Sequence, residues 1–166
     1  MGLSVVIITY QEESNIQACL ESVSFADEII VLDSGSVDHT VSIARQYTSK
    51  VFVVDWPGDG PQRNRGIEMA TQEWVLCLDA DEQVSPSLAV EIKNVVLNTN
   101  YEGFSIPFLS HYLSKPIYFG DWRKERHTRL FKKACGRYSG SDVYGAQGAH
   151  CRPMVEGRVG DLKGLI

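Results

Sequence analysis

The stretch WVLCLDADE, residues 74–82, joins a buried strand to a group of carboxylates. Its first five residues are all apolar, as in a strand that is covered on both faces of a sheet. Asp79, Asp81 and Glu82 follow directly, and like charges this close repel one another. Such a group needs hydrogen-bond donors or a cation beside it, so the stretch predicts a buried strand with a polar site at its end.

The segments before this stretch alternate between strand and helix patterns. Apolar runs rich in β-branched residues end at Tyr10, Asp33, Trp56 and Asp79, at equal intervals along the chain. Helical spacing of apolar residues fills the intervals. This alternation predicts an α/β fold, with a Rossmann-like, mainly parallel sheet and helices on both faces.

After about residue 100 the pattern changes. The segments GFSIPF (103–108) and HTRLFKK (127–133) predict further strands in mixed orientation, so the whole sheet is expected to be mixed. The segment CGRYSGSDVYGAQGAHC (135–151) is rich in Gly and Ser and predicts a loop. A length of 166 residues suits one domain.

The formal net charge of −5 hides a division of the chain into an acidic and a basic part. Residues 1–102 carry an acidic excess and residues 103–166 a basic excess, most of it within Arg123–Arg137. One interpretation is a solvated basic face. The other is a surface for an anionic partner, which would be a phosphorylated substrate, anionic lipid head groups or nucleic acid.

Several classes of protein are disfavoured by what the sequence lacks. It has no run of about eighteen apolar residues and no secretory signal pattern, so a cytoplasmic protein is expected. Its four cysteines show no paired spacing, which favours reduced thiols over a zinc or disulfide framework. The dinucleotide motif G-x-G-x-x-G and the P-loop motif are both missing.

Polar residues stand at three of the four predicted strand ends: Thr9, Tyr10 and Glu12 at the first, Asp33 at the second, and Asp79 and Asp81 at the fourth. Ligands of parallel sheets bind outside the carboxyl ends of the strands, so these residues are expected to share a site. Mg²⁺ or Mn²⁺ is the expected counter-charge, because both take oxygen ligands and share them with phosphates. The alternative is that Asp79 and Asp81 cap the following turn.

The third strand–helix unit supplies positive charge. Arg63 and Asn64 stand near the start of a helix in GPQRNRGIEMA, residues 60–70. Guanidinium groups and helix N-termini both suit phosphate. The alternative is a helix with ordinary surface arginines.

Together these segments resemble the nucleotide-binding half of inverting, family 2 glycosyltransferases with the GT-A fold. The resemblance rests on residues 4–40, 60–70 and 74–82. A narrower similarity, to bacterial lipopolysaccharide inner-core β-1,4-glucosyltransferases, rests on VLDSGS, QRN, LDADE, RLFKK and VEGRVGDLKG. The resemblance implies a single GT-A domain, residues 1–166. Residues 1–100 would bind the nucleotide sugar, and residues 101–166 would form an acceptor side that is truncated at its C-terminus.

The resemblance also implies a reaction, which is the metal-assisted transfer of a sugar, expected to be glucose, from a UDP-sugar to a lipopolysaccharide core or other glycan acceptor with inversion. The donor-binding residues that it implies are Thr9, Tyr10, Glu12, Asp33, Arg63, Asn64, Asp79, Ala80 and Asp81. Asp79 and Asp81 would hold Mg²⁺ or Mn²⁺, and Glu82 would orient the sugar or support that pair. No nucleic-acid partner is expected. A peripheral contact with the anionic inner membrane is expected.

One motif departs from the family pattern. Where the family is expected to carry Val-His-Glu with Glu as the base, this chain has Ala-His-Cys at residues 149–151. The candidate catalytic residues are therefore His150, Asp142 and Cys151, although a thiol is a poor base near neutral pH. The alternative function is a non-catalytic module that binds a nucleotide sugar. A sugar-phosphate nucleotidyltransferase or a HAD-type phosphatase would need a different loop after the first strand.

Overall fold

A computed structural model of the chain describes residues 1–109, 126–139 and 151–166, and the backbone alone at 111–112 and 115–116. Its helices are α1 (Ile16–Ser22), α2 (Thr40–Ala44), α3 (Asp59–Met69) and α4 (Pro86–Leu97). Its strands are β1 (Leu3–Thr9), β2 (Glu28–Asp33), β3 (Val51–Val53), β4 (Trp74–Asp79), β5 (Gly103–Pro107), β6 (His111–Tyr112), β7 (Lys115–Pro116), β8 (Arg126–Lys132), β9 (Gly136–Tyr138), β10 (Pro153–Val155) and β11 (Val159–Asp161).

Seven of these strands form one sheet in the order β11-β5-β8-β4-β1-β2-β3. β1 lies between β2 and β4 and runs parallel to both, and β3 continues the parallel half beyond β2. β8 runs antiparallel between β4 and β5, while β11 pairs in parallel with β5. The predicted α/β fold with a mixed, mainly parallel sheet is therefore confirmed.

The central strand β1 shows why its sequence is continuously apolar, since all seven of its residues are buried. Successive side chains of a strand point to opposite faces of the sheet. Val5 and Ile7 belong to a core that includes residues of α1, α2 and α4, whereas Val6 and Ile8 belong to a second core that includes Ile67 of α3. Helices cover both faces, as predicted.

The second half of the chain completes the sheet. The two predicted strands are found as β5 and β8, and β8 is inserted between β5 and β4. The loop predicted over residues 135–151 is wrong at its start, because residues 136–138 form β9 and pair with β10. Three residues with Gly among them are too few for a strand pattern to be visible. Residues 140–150 of that segment lie outside the described residues.

At the amino end of the parallel strands, Glu28 joins several parts of the chain. Its carboxylate accepts hydrogen bonds from Ser4 Oγ, from Thr71 N at 2.7 Å and from Thr71 Oγ1 at 3.0 Å, and it pairs with Lys50 Nζ. Burial raises the pKa of this carboxyl, but the hydrogen bonds from Lys50, Ser4 and Thr71 outweigh it and lower the pKa to about 2. Glu28 therefore stays charged and holds together the end of the sheet at which the parallel strands begin.

Candidate functional site

The ends of three neighbouring strands meet at one edge of the sheet. In the sheet register Thr9 lies beside Asp33, and Ile8 lies beside Asp79. The polar residues that follow β1, β2 and β4 therefore emerge side by side, as parallel strands require.

The loop after β1 is held by the loop after β2. Gln11 has a φ of 53°, a left-handed conformation uncommon outside glycine, and its N–H donates to Ser36 Oγ at 2.8 Å. The N–H of Glu12 donates to Thr40 Oγ1 at 2.8 Å. These bonds fix the backbone on either side of Gln11 and so position Tyr10 and Glu12.

Asp33 organises the second of these loops. Its carboxylate is fully buried and accepts hydrogen bonds from Gly35 N at 2.9 Å, Ser36 N at 2.8 Å and Ser36 Oγ at 2.5 Å. The contacts described for this carboxylate all lie within its own loop, which gives Asp33 a structural function. Its expected contact with the donor nucleoside stays a prediction.

A cavity of about 180 Å³, called here the smaller cavity, opens between the ends of β1 and β4. It is lined by Ile8, Thr9, Tyr10, Glu12, Trp56, Asp79, Ala80 and Asp81. Six of the nine residues expected to bind the donor thus share one cavity. Trp56 is missing from the predicted set, although its position at the end of the third apolar run was a usable signal. Its side chain is half-exposed, like that of Tyr10.

Two arginines hold the carboxylate of Asp79. Arg63 Nη2 lies 2.5 Å from Asp79 Oδ1, and Arg129 Nη2 lies 3.3 Å from Asp79 Oδ2. Arg129 Nη2 also contacts Glu82 Oε1 at 2.7 Å, and Arg63 Nε contacts Asp59 Oδ1 at 2.9 Å. Glu82 Oε2 in turn accepts a hydrogen bond from Asp79 N at 2.9 Å. The result is a closed network that joins α3, β4 and β8.

This network separates the acidities of its two central carboxyls. Burial raises the pKa of Asp79, but the charges of Arg63 and Arg129 outweigh burial and hold that pKa below its usual value. Burial raises the pKa of Glu82 to about 7, with Arg129 opposing this rise and the charge of Asp79 adding to it. Asp79 is therefore ionised at neutral pH, while Glu82 exchanges its proton near neutrality.

Asp81 has a different environment from Asp79. It is exposed, and in the described part of the chain its carboxylate makes no hydrogen bond or ion pair. Among the described residues, no group of three His, Cys, Asp or Glu side chains is arranged to hold a metal ion. Mg²⁺ is often held by only one or two carboxylates together with substrate phosphates. Asp81 fits that requirement, whereas both oxygens of Asp79 are engaged by arginines, so the predicted pair of metal ligands stays a prediction.

A second cavity of about 260 Å³, called here the larger cavity, shares Asp79 with the smaller one. It is lined by Asp59, Arg63, Asp79, Glu82, Phe108, Arg126, His127, Thr128, Arg129, Tyr138, Cys151, Arg152 and Pro153. Arg129, which belongs to the RLFKK segment, and Asp59 reach this cavity from two distant parts of the sequence. The sequence offered no spacing that would have joined them.

The remaining predicted residues have separate positions. Arg63 lines the larger cavity. Asn64 points instead to β9, where its Nδ2 donates to Tyr138 O at 2.9 Å and its Oδ1 accepts from Tyr138 N at 2.9 Å. Cys151 lines the larger cavity, and its Sγ donates to Ser139 O at 3.1 Å. His150 and Asp142 lie outside the described residues.

The basic segment is neutralised largely within the chain. Its cations have these partners: Arg126 contacts Asp161 at 3.1 Å, Arg129 contacts Asp79 and Glu82, Lys132 lies 3.9 Å from Glu102, Lys133 donates to the carbonyls of Glu68 and Ala70, and Arg137 contacts Glu68 at 3.1 Å. Residues 123–125 of this segment lie outside the described residues. The charge asymmetry of the sequence thus has an intramolecular use. None of the described helices combines the length and apolar character needed to cross a membrane.

The chain is similar in sequence to a known protein family. The family model described as Glycosyl transferase family 2 matches residues 4–151. An uncharacterized glycosyltransferase of Rickettsia felis is 36% identical over 137 residues, which cover 79% of this chain and 48% of the relative. The lipopolysaccharide core biosynthesis glycosyltransferase LpsC of Rhizobium meliloti is 30% identical over 173 aligned positions, which cover 98% of this chain and 61% of the relative.

The solved structure of S. aureus TarS 1-349 in complex with UDP-GlcNAc is similar with a TM-score of 0.61 at 21% identity, over 81% of this chain and 46% of that chain. This likeness concerns the fold. The chain spans about half the length of the Rickettsia felis relative. Because the family model matches most of its residues, the chain belongs to glycosyl transferase family 2.

Proposed function

We propose that the chain transfers a sugar, expected to be glucose, from a UDP-sugar to a lipopolysaccharide core or another glycan acceptor with inversion. The observation that carries this proposal is that two cavities meet at Asp79, one with aromatic rings and a free carboxylate and the other rich in charged groups. The name of the LpsC relative supports the lipopolysaccharide acceptor, and the ligand of TarS supports the UDP-sugar donor. A cytoplasmic location with peripheral membrane contact stays part of the proposal.

The smaller cavity would receive the nucleoside of the donor. Tyr10 and Trp56 expose ring surface there, and aromatic rings of this kind stack on nucleobases. Thr9 Oγ1 is buried and has no hydrogen-bond partner among the described residues. A polar atom of the nucleoside would satisfy it and remove the cost of an unpaired buried hydroxyl.

Asp81 is the residue that would hold Mg²⁺ or Mn²⁺ together with the donor diphosphate. A cation bound there supplies Lewis-acid stabilisation of the departing diphosphate. Asp79 has a different function in this proposal. Because Arg63 and Arg129 occupy its two oxygens, Asp79 orients these two guanidinium groups at the junction of the cavities.

The larger cavity would receive the donor sugar and the acceptor. An inverting transfer is a single displacement, in which the acceptor oxygen bonds to the anomeric carbon as the bond to the diphosphate breaks. Arg63 and Arg129 are held in place by carboxylates, so their remaining N–H groups would be fixed hydrogen-bond donors for the leaving group. A base removes the proton of the acceptor hydroxyl, and the candidates remain His150, Asp142 and Cys151.

A second candidate function is a module that binds a nucleotide sugar without turnover. It is favoured by Cys151, which stands where the family is expected to carry the Glu base and whose Sγ donates a hydrogen bond to Ser139 O. Cys151→Glu separates the two functions. A gain in sugar transfer supports the enzyme, whereas intact UDP-glucose binding without any gain in transfer supports the binding module.

The donor site is tested by calorimetric titration of UDP and UDP-glucose with and without Mn²⁺. We expect Mn²⁺ to strengthen binding to the wild-type protein and Asp81→Asn to lose that gain. Asp161→Asn is the matched control, because it removes another exposed aspartate, which lies outside the smaller cavity. Failure of both ligands to bind under either condition contradicts the proposal.

A further inference from the structure

We propose that the acceptor carries an anionic group, a phosphate or a carboxylate, and that Arg152 and Arg126 bind it in the larger cavity. This inference rests on the proposed function, because it names the class of acceptor for the same site. It follows from the way charge is distributed along the cavity.

The carboxylates of the larger cavity are gathered at the end nearest the donor site. Asp59 and Asp79 contact Arg63 at 2.9 and 2.5 Å, and Glu82 contacts Arg129 at 2.7 Å. These three are the carboxylates in the described lining of the cavity. Arg63 and Arg129 are almost wholly buried and are committed to them, so the charges at this end largely cancel.

A second group of cations lines the cavity further from β4. Arg126 precedes Arg129 by three residues on β8, which is about 10 Å along a strand. Its counter-ion, Asp161, is 76% exposed and is not part of the described lining. Arg152 enters from the segment before β10, is exposed, and has no ion pair or hydrogen bond within the described residues.

This end of the cavity therefore carries the guanidinium of Arg152, whose charge no described carboxylate cancels, beside that of Arg126, which Asp161 offsets from outside the lining. Neutral sugars are held by hydroxyl hydrogen bonds and aromatic faces and have no need of such charge. Guanidinium groups, in contrast, match phosphate and carboxylate with paired hydrogen bonds. An acceptor with its reactive hydroxyl near Asp79 and an anionic group about 10 Å further out would contact both ends of the cavity.

The test uses glucose 6-phosphate and glucose as acceptor probes in calorimetric titrations with UDP and Mn²⁺ at saturation, so that the phosphate positions of the donor site are filled. We expect glucose 6-phosphate to bind and glucose to bind at least tenfold more weakly, since a hydrogen-bonded charge pair is worth about a tenfold change. Arg152→Gln is expected to remove most of this preference while leaving the affinity for UDP unchanged. Arg137→Gln is the matched control, because Arg137 is exposed and lies outside the larger cavity.

Three results would overturn the inference. The first is equal binding of the two probes, or an equal loss in the Arg152 and Arg137 variants. The second is binding of glucose 6-phosphate that is seen without UDP and is abolished by saturating UDP, which would assign these arginines to the donor diphosphate. The third is binding to phosphatidylglycerol vesicles that depends on Arg152 without any binding of glucose 6-phosphate, which would assign them to a lipid surface. The UDP titration tests the proposed function separately, because the affinities of glucose 6-phosphate and glucose can still be compared if UDP does not bind.

Discussion

Arg63 Nη2 lies 2.5 Å from Asp79 Oδ1, so an arginine of α3 holds the last residue of β4. Arg63 is 3% exposed, and its Nε contacts Asp59 at 2.9 Å. A guanidinium can contact two carboxylates from one position because its donors form a planar fork. This pair fixes the helix relative to the strand end at which both cavities meet.

Replacing the guanidinium of Arg63 by an ammonium is expected to destabilise the folded protein. Arg63→Lys should lower the free energy of unfolding by about 2–4 kcal/mol, because one buried ammonium cannot contact both Asp59 and Asp79 as the guanidinium does. Urea unfolding measures the change. Arg65→Lys is the control, since Arg65 pairs with the exposed Asp55 and should lose less than about 1 kcal/mol. Equal losses of stability in the two variants would show that the buried network stabilises the protein no more than a surface ion pair does.

Trp56 offers a test of the donor site that does not involve charge. Trp56→Ala is expected to weaken UDP binding by about tenfold, because base stacking on an aromatic ring contributes roughly 1–3 kcal/mol. Trp56→Phe should retain most of the affinity. Phe52→Ala removes another partly exposed ring, on β3 and outside the smaller cavity, and should leave UDP binding unchanged. Unaltered UDP affinity in Trp56→Ala would exclude stacking on this residue.

The parallel half of the fold could be predicted because three of its strands, β1, β2 and β4, are buried on both faces. β1 and β4 read as continuous apolar runs, and the residues after them could be assigned to one edge of the sheet. The short strands β9 and β11 could not be predicted in this way. Each has three residues and depends on pairing with a distant segment, so nothing local marks it as a strand.

The candidate site could be predicted only in part, for a similar reason. The strand-end residues of the smaller cavity follow from their positions in the sequence. The contacts of Arg129 with Asp79 and Glu82, about 50 residues away, exist because β8 is inserted beside β4, which no periodicity shows. Asn64 was expected at the donor and instead pairs its amide with the backbone of Tyr138. Side-chain chemistry alone did not distinguish these two uses of an amide.

The stability of the protein in acid tests the contacts of Glu28 at the amino ends of the parallel strands. Its pKa is about 2 in the folded protein against an ordinary value of 4.5, so folding favours the charged form. Its contribution is therefore fully present above about pH 4.5 and is lost as the pH falls towards 2. Glu28→Gln should remove stability of up to about 3 kcal/mol at neutral pH and flatten the fall in this window.

The measurement for Glu28 is the free energy of urea unfolding between pH 7 and about pH 2.5. Glu73→Gln is the control, because it removes a carboxylate whose side chain is exposed and should preserve the wild-type profile. A Glu28→Gln profile that runs parallel to the wild-type profile over the whole range would contradict the assignment.

Gly66 tests whether the close approach of α3 to the sheet positions Arg63. A Cβ at this residue would lie 2.3 Å from Val6 Cγ1 and 3.2 Å from Leu32 Cδ1, so the helix would have to move away from β1. Gly66→Ala should therefore destabilise the protein by about 1–3 kcal/mol, even though alanine favours a helix interior by about 1 kcal/mol. Because Arg63 is one helical turn away, the variant should also weaken UDP-glucose binding, measured by calorimetry beside urea unfolding. Val6→Ala in the same chain removes the obstructing methyl groups and should restore part of both losses, whereas a Gly66→Ala variant as stable as the wild type would show that the helix has room to spare.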